Sequence, residues 1–259
     1  MFCLRTNGNR KEESVSFAKA YFAHRGLYDN EKLPENSLPA FREAVRHGYG
    51  IELDVRLTKD TVPVVFHDDT LLRMCGVEKR VSECTYEELN TCLLLGTKHR
   101  IPTLAEVLKD IAGRVPVLVE LKAGKMPKRT AVKTAAVLDS YNGMYAVQAF
   151  HPGVLVWFRK HRPQVLRGQL STDYRRDTIK STWLQRAVRT DLWCNVLTYP
   201  DFVSFRYTMT DLWVYRLWKR RYDGISFGWT VRSKEELRQA EKEFDGIIFD
   251  SFLPGEKMK

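Results

Sequence analysis

Short apolar segments alternate along the chain with segments of helical periodicity. Runs rich in β-branched and aromatic residues are predicted to be strands, and eight of them occupy residues 20–23, 50–56, 116–121, 145–150, 165–169, 202–206, 224–229 and 246–249. A further extended piece is predicted at 62–66, after the second strand. Between strands, Thr103 and Glu106 form a capping-box signal, after which apolar residues recur at helical spacing.

This order of strands and helices predicts parallel βαβ units and therefore an α/β fold. Eight units in 259 residues favour a closed (β/α)8 TIM barrel, which typically uses about 250 residues. An open doubly wound sheet is the alternative, but no glycine-rich phosphate-binding loop follows the first predicted strand. We expect one domain over residues 1–259, with a short N-terminal extension at 1–18 and a helical insertion at 68–102.

Charge and composition limit the partners, the cysteine chemistry and the cellular location that we expect for this protein. The net charge of +10 attracts phosphate-bearing partners, without choosing among nucleic acid, anionic lipid and phosphodiester substrates. The five cysteines show no CxxC spacing, so we expect neither a disulfide framework nor a structural zinc site. Residues 1–19 lack the apolar run of a signal peptide, and no apolar stretch is long enough to span a membrane. We therefore expect a cytoplasmic protein.

Carboxylates lie on the second and third predicted strands. Glu52 and Asp54 are two residues apart, so both side chains point to the same side of their strand. Glu120 and Lys122 share one side of the third strand in the same way. Buried carboxylates need a cation or a basic partner. A Mg²⁺ or Ca²⁺ site is one interpretation, and internal salt bridges to Arg or Lys are the other.

Two histidines also follow predicted strands. His24 and Arg25 end the first strand, and His67 and Asp68 follow the extended piece at 62–66. Histidine exchanges protons near neutral pH, and arginine grips phosphate oxygens in a fork. Each pair alone also fits a structural role. Together with the carboxylates they are the groups that cleavage of a phosphodiester requires, provided that the strands neighbour one another.

A long segment carries these residues in a recognisable order. Residues 23–71 read AHRGLYDNEKLPENSLPAFREAVRHGYGIELDVRLTKDTVPVVFHDDTL. This resembles the signature of the glycerophosphodiester phosphodiesterase family, which runs HRG, PEN, AF, ExD, a T-K-D turn and HD. The resemblance continues in order with VELK at 119–122, QAFHPG at 148–153, WTV at 229–231 and DGIIFDSF at 245–252.

The resemblance implies a TIM barrel that hydrolyses glycerophosphodiesters to sn-glycerol 3-phosphate and an alcohol with the help of a metal. By match to the signature, His24 and His67 would be the catalytic acid–base pair, in an order that the sequence does not assign. The resemblance implies that Glu52, Asp54 and Glu120 bind one divalent cation, which would be Mg²⁺ or Ca²⁺, with Mn²⁺ as a further option.

The remaining matched positions concern the substrate. The resemblance implies that Arg25 and Lys122 hold phosphate, that Glu35 supports the orientation of His24 or Arg25, and that Trp229 forms a wall of the substrate site. Three positions depart from the family's pattern, and they are Ser37 for a helix-capping Thr, Thr61 for a turn Gly, and Phe150-His151 for Phe-Asp. We expect Ser37 to cap its helix, and we expect a different turn at Thr61, because a β-branched residue resists positive φ. His151 would change a residue at the rim of the pocket.

Other activities remain open at this point. A lysophospholipase D-like phosphodiesterase would use the same site on a lipid with one acyl chain, and a related barrel enzyme would release a cyclic phosphate. A non-catalytic phosphate-binding barrel would have lost a histidine or a metal carboxylate, and none of these residues is missing.

Tryptophans cluster in the second half of the chain, at positions 157, 183, 193, 213 and 218. The segment 210–222 is apolar nearly all round and ends in a basic cluster. It predicts either peripheral contact with an anionic membrane or another subunit, as in a homodimer, or an outer barrel helix whose tryptophans pack on the strands. No nucleic-acid motif appears, so we expect no nucleic-acid partner.

Overall fold

The structure, a computed structural model, describes residues 6–173, 182 and 190–255. Its strands are β1 Tyr21–His24, β2 Gly50–Leu57, β3 Pro63–Val65, β4 Val117–Leu121, β5 Tyr145–Ala149, β6 Leu166–Ser171, β7 Phe202–Arg206, β8 Ile225–Val231 and β9 Gly246–Phe249. Its helices are α1 Lys11–Ala18, α2 Leu38–Arg46, α3 Leu72–Cys75, α4 Tyr86–Leu89, α5 Leu104–Ile111, α6 Pro127–Leu138, α7 Pro152–His161, α8 Asn195–Thr198, α9 Trp213–Tyr222 and α10 Lys234–Ala240.

The strands confirm the predicted fold class. Within the described ranges, eight strands run parallel and alternate with helices as in a (β/α)8 TIM barrel. The ninth, β3, matches the extended piece predicted at 62–66 and pairs antiparallel with the end of β2. The chain divides into two compact units, a first unit at Phe22–Tyr145 and a second unit at Met1–Tyr21 with Ala146–Lys259. The single domain over 1–259 stays a prediction.

In the first unit, β2 lies between β1 and β4 and is parallel to both. The predicted insertion contains α3, α4 and two 3-10 turns at Val81–Glu83 and Leu94–Gly96. It surrounds a small apolar core of its own, which joins β3 to α3, α4 and the following turns. Capping boxes start α4 at Thr85 and α5 at Thr103, and the second confirms the signal predicted from Thr103 and Glu106.

In the second unit, β5 to β9 pair in sequence order and are parallel. The N-terminal extension belongs to this unit, since Arg10 forms a 2.5 Å ion pair with Asp201 and the ring of Phe17 lies 6.1 Å from that of Phe227. Through these contacts the N-terminal extension packs against β8 and against the residue that precedes β7.

The tryptophan-rich segment of the second unit forms α9. Trp218 is fully buried and donates a hydrogen bond from Nε1 to the carbonyl oxygen of Ile225, whereas Trp213 is 51% exposed. The helix thus packs through Trp218, and basic residues occupy its last turn. Contact with a membrane or with a second copy stays a prediction, and Trp183 lies outside the described residues. Across 6–173 and 190–255, no helix combines the length and the apolar character that crossing a bilayer would need.

Two local expectations are wrong. Thr61 does adopt a positive φ of 66°, because hydrogen bonds at both ends of the turn hold it there: Thr61 N donates to Thr58 O, and Val62 N donates to Thr58 Oγ1. Ser37 stands at the N-cap of α2, but its hydroxyl donates to the carbonyl oxygen of Pro34 and caps no helix amide. In both cases neighbouring contacts outweigh the residue's own preference.

Candidate active site

Three buried carboxylates converge on the neighbouring strands β2 and β4. Glu52 and Asp54 point to one side of β2, and the strand register sets Asp54 beside Glu120 of β4. Each offers a carboxylate oxygen, and these oxygens lie within 4.8 Å of one another. All three side chains are almost inaccessible to solvent, so their negative charges are held together in a poorly hydrated place.

The buried negative charge of this triad favours the binding of a cation. Burial, followed by repulsion from Asp54 and Glu120, raises the pKa of Glu52 well above its ordinary value. Burial also raises the pKa of Glu120. Oδ1 of Asp54 and Oε1 of Glu120 are buried, and the ammonium group of Lys122 approaches both of them. Hard oxygen donors in this state fit a divalent cation such as Mg²⁺ or Ca²⁺.

Lys122 supplies positive charge on the same side of β4. Its Nζ lies 3.1 Å from Oδ1 of Asp54 and 2.5 Å from Oε1 of Glu120. Burial alone would lower the pKa of this amine, but Asp54 and Glu120 outweigh burial and raise it, so the ammonium form persists. The Glu–Lys salt bridge considered from sequence is therefore present, and it offsets only part of the triad's charge.

Arg25 reaches the triad from the turn after β1. Its backbone N donates to Oε2 of Glu52 at 3.2 Å, and its side chain donates to Oε1 of Glu35 at 2.8 Å. Its Nε lies 3.5 Å from Oδ2 of Asp54. The turn depends on Gly26, which has a φ of 83° and would place any Cβ 2.9 Å from the backbone carbon of Ala40.

Asn36 holds Asp54 in place, a contact that the sequence analysis missed. The Asn36 amide donates to Oδ2 of Asp54 at 2.8 Å and accepts from the Asp54 backbone N at 3.3 Å. Asn36 itself has a positive φ of 55° and donates its backbone N to the carbonyl oxygen of Arg25. The only available sequence signal was its place in the PEN segment.

Both predicted histidines lie near the triad. His24 ends β1 beside Glu52 in the register, and His67 follows β3. Burial would raise the pKa of Asp54, but Lys122 first and then both imidazoles contribute to lowering it. Burial lowers the pKa of His67 to about 4, so its ring is neutral at pH 7.

One contact orients the ring of His67, and a second holds its backbone. Its Nδ1 lies 2.7 Å from Oδ1 of Asp68, and its carbonyl oxygen accepts from Nε of Arg56 at 2.8 Å. Burial would raise the pKa of Asp68, but hydrogen bonds from Arg73 and His67 outweigh it and lower the pKa to about 2. An ionised carboxylate only accepts hydrogen bonds, so Nδ1 carries the proton and Nε2 keeps a free lone pair for proton transfer.

Arg73 of α3 is a further residue that the sequence analysis missed. It donates two hydrogen bonds to the carboxylate of Glu35 and a third, of 2.6 Å, to Oδ2 of Asp68. Nothing in its position six residues after His67 indicates that it turns back toward Glu35.

Trp229 lies in the second unit, on β8. Its ring meets Phe150 edge-to-face with centroids 6.0 Å apart, and the guanidinium of Arg206 lies 5.8 Å from its centroid. Its predicted contact with substrate stays a prediction. His151, which departs from the family's pattern, accepts a hydrogen bond from Gly153 N through Nδ1 and so caps α7, and its place at the rim of the pocket stays a prediction.

Known proteins of one family are similar to this chain in sequence and in fold. The model of the glycerophosphoryl diester phosphodiesterase family matches residues 24–253. A phosphodiesterase from Oleispira antarctica, solved in complex with the product sn-glycerol-3-phosphate, superposes with a TM-score of 0.74 at 22% identity, covering 92% of this chain and 95% of that one. At this identity the likeness supports the fold.

Two curated relatives carry sequence similarity. The glycerophosphodiester phosphodiesterase of Caldanaerobacter subterraneus subsp. tengcongensis is 44% identical over 110 residues, which is 39% of this chain and 44% of that protein. The glycerophosphodiester phosphodiesterase of Bacillus altitudinis is 33% identical over 164 residues, which is 59% of this chain and 66% of that protein. The similarity thus spans less than two thirds of either relative.

Proposed function

Because this chain belongs to the glycerophosphoryl diester phosphodiesterase family, we propose that it hydrolyses glycerophosphodiesters to sn-glycerol 3-phosphate and an alcohol. The observation that carries the proposal is the grouping of three buried carboxylates, two cationic side chains and two histidines within the first unit. A phosphodiester is anionic and poorly electrophilic, so its cleavage requires charge neutralisation together with proton transfer.

Glu52, Asp54 and Glu120 would hold one divalent cation, which would neutralise phosphate charge when bound. Mg²⁺ and Ca²⁺ suit an all-oxygen donor set, and Mn²⁺ takes similar ligands. Lys122 and Arg25 border the carboxylates and carry donors that match phosphate oxygens, Arg25 through a planar fork and Lys122 as a point charge. Their positive charges attract the anionic phosphodiester group.

The two imidazoles would serve the proton transfers. Hydrolysis needs one group to accept a proton from the attacking oxygen and another to donate a proton to the leaving alkoxide. His67 is neutral at pH 7 and is oriented by Asp68, so it is equipped to accept a proton at Nε2. His24, beside Glu52 on β1, would be the partner that donates to the leaving oxygen.

A substrate panel tests the proposal. Glycerophosphocholine, glycerophosphoethanolamine and lysophosphatidylcholine would each be incubated with EDTA and then with Mg²⁺, Ca²⁺ or Mn²⁺, and phosphorus NMR would identify the products. We expect sn-glycerol 3-phosphate from the glycerophosphodiesters with a cation and little turnover in EDTA. Faster turnover of lysophosphatidylcholine would instead assign the lysophospholipase D-like activity, and a cyclic phosphate product would assign the third reaction.

Histidine variants separate catalysis from binding. His24→Ala and His67→Ala should each lose about 10²–10⁴-fold in turnover, the usual contribution of a general acid or base. His47→Ala is the control, since His47 is an exposed histidine beside Glu43 at the end of α2. Wild-type turnover in either catalytic variant, or a lack of turnover in the wild type with every cation, would refute the proposal.

A further inference from the structure

Arg73 lies on the short helix α3 of the insertion and contacts two acidic residues from different parts of the first unit. Its Nη1 and Nη2 donate to the two carboxylate oxygens of Glu35 at 2.9 and 2.7 Å, and its Nε donates to Asp68 at 2.6 Å. Glu35 precedes α2, whereas Asp68 follows β3. One guanidinium therefore joins two loops that are 33 residues apart in sequence.

This contact differs from an ordinary surface ion pair. Exposed pairs usually contribute about 0–1 kcal/mol, because water screens them and both side chains stay mobile. Glu35 is only 4% exposed, and Arg73 meets it through two parallel hydrogen bonds, the geometry that fixes direction as well as distance. The bonds of Arg73 to Glu35 and Asp68 also raise its own pKa.

Each partner of Arg73 holds a residue of the proposed catalytic site. Glu35 accepts a hydrogen bond from the side chain of Arg25, which borders Asp54. Asp68 accepts from Nδ1 of His67. Arg73 is therefore connected by hydrogen bonds to Arg25 through Glu35 and to the imidazole of His67 through Asp68.

We propose that Arg73 is a positioning residue of the reaction, which aligns His67 through Asp68 and Arg25 through Glu35 without touching the substrate. This inference rests on the proposed function. Without the guanidinium, Asp68 is free to rotate away from Nδ1, and the imidazole loses the bond that selects its tautomer and ring orientation. Turnover then falls because the reacting groups are misaligned. Substrate binding falls less, because Arg25 keeps its own hydrogen bond to Glu35.

Steady-state kinetics of Arg73→Ala test this role. We expect kcat to fall about 10–100-fold, the usual effect of removing a residue that orients a functional one, with KM within about threefold of wild type. Arg42→Ala is the matched control, because Arg42 also makes several hydrogen bonds to one carboxylate, that of Asp110, and is similarly exposed. Unchanged kcat in Arg73→Ala would overturn the inference.

Two further variants distinguish positioning from general stability. In a double-mutant cycle, Arg73→Ala is combined with Asp68→Asn. The kcat of the double variant should be at most about threefold lower than that of the slower single variant, because both changes act on His67. Arg73→Lys keeps the charge and the fold, but one ammonium is too compact to satisfy both carboxylates, so kcat should remain low. Full additivity, or wild-type kcat in Arg73→Lys, would contradict the proposal.

A measurement independent of turnover keeps the two proposals distinguishable. Nitrogen-15 NMR of the His67 ring at pH 8 reports which nitrogen carries the proton. We expect the Nδ1–H tautomer in the wild type and in Arg42→Ala, and a mixture with the Nε2–H form in Arg73→Ala. An inactive wild type with this spectral change would refute the proposed function alone, whereas an identical spectrum in Arg73→Ala would overturn the role of Arg73.

Discussion

Replacing Glu52 by glutamine should stabilise the protein when divalent cations are removed and should abolish most of the proposed cation-dependent activity. Glutamine keeps the size of the side chain and an oxygen that can accept the 3.2 Å hydrogen bond from Arg25 N. It removes one negative charge from a triad whose oxygens lie within 4.8 Å of one another. The same change therefore relieves repulsion and weakens the proposed metal site.

The magnitude follows from these distances. At an effective dielectric constant of ~20, two unit charges 4.8 Å apart repel by about 3 kcal/mol. Lys122 and Arg25 offset part of the repulsion from Asp54 and Glu120. Protonation sets an upper limit, because a carboxyl group with an ordinary pKa of 4.5 takes up a proton at pH 7 for about 3 kcal/mol. We expect the free energy of unfolding to rise by about 1–3 kcal/mol at pH 7.

The pH dependence has a definite sign. Burial, Asp54 and Glu120 raise the pKa of Glu52 in the folded protein, so folding is unaffected by this group below pH 4.5 and becomes less favourable as the pH rises above that value. Glutamine does not titrate. The advantage of the variant should therefore be small at pH 5 and larger at pH 8.

Urea unfolding of the wild type, Glu52→Gln and the exposed control Glu78→Gln provides the assay. Each would be measured in EDTA and with excess Mg²⁺ or Mn²⁺. A cation at a hundredfold excess over its Kd stabilises the folded state by about 2.7 kcal/mol, and Glu52→Gln should gain much less. A variant that is less stable than the wild type in EDTA, or that gains equally from cations, would refute the reasoning.

Three further predictions concern the turn, the triad and the proton-transfer pair. Gly26→Ala should lower the free energy of unfolding by at least about 2 kcal/mol in urea melts, because its φ is 83° and its Cβ would meet Ala40. Asn36→Ala should weaken Mg²⁺ binding measured by calorimetry about 10–100-fold, because Asp54 loses the amide that orients it. In EDTA, His67→Gln should become more stable than the wild type as the pH falls from 6.5 to 4, by at most about 3 kcal/mol. The reason is that the lowered pKa of His67 makes folding less favourable only in acid. Equal pH profiles in urea melts would contradict this.

Strand periodicity is sufficient to bring the carboxylates together. Alternate residues share one face of a strand, so Glu52 and Asp54 had to point the same way, and parallel strands in a barrel end at the same face. The structure then places Glu120 beside Asp54 through the register of β2 and β4. The positions of these side chains follow from regular strand geometry, and the strands themselves can be predicted from the sequence.

The supporting residues could not be predicted in this way. Asn36 and Arg73 reach the site from connections, where the direction of a side chain depends on turns and tertiary contacts. Thr61 also lies in a connection, and its conformation was predicted wrongly. Hydrogen bonds within its turn overcome the preference of a β-branched residue against positive φ. Local rules describe the strands well and the connections poorly.

Anomalous diffraction from crystals grown with Mn²⁺ and sn-glycerol 3-phosphate would test the central claim most directly. We expect a strong manganese peak coordinated by Glu52, Asp54 and Glu120, with the phosphate group beside it in contact with Arg25 and Lys122. A manganese peak elsewhere, or a phosphate bound away from these two basic residues, would contradict it.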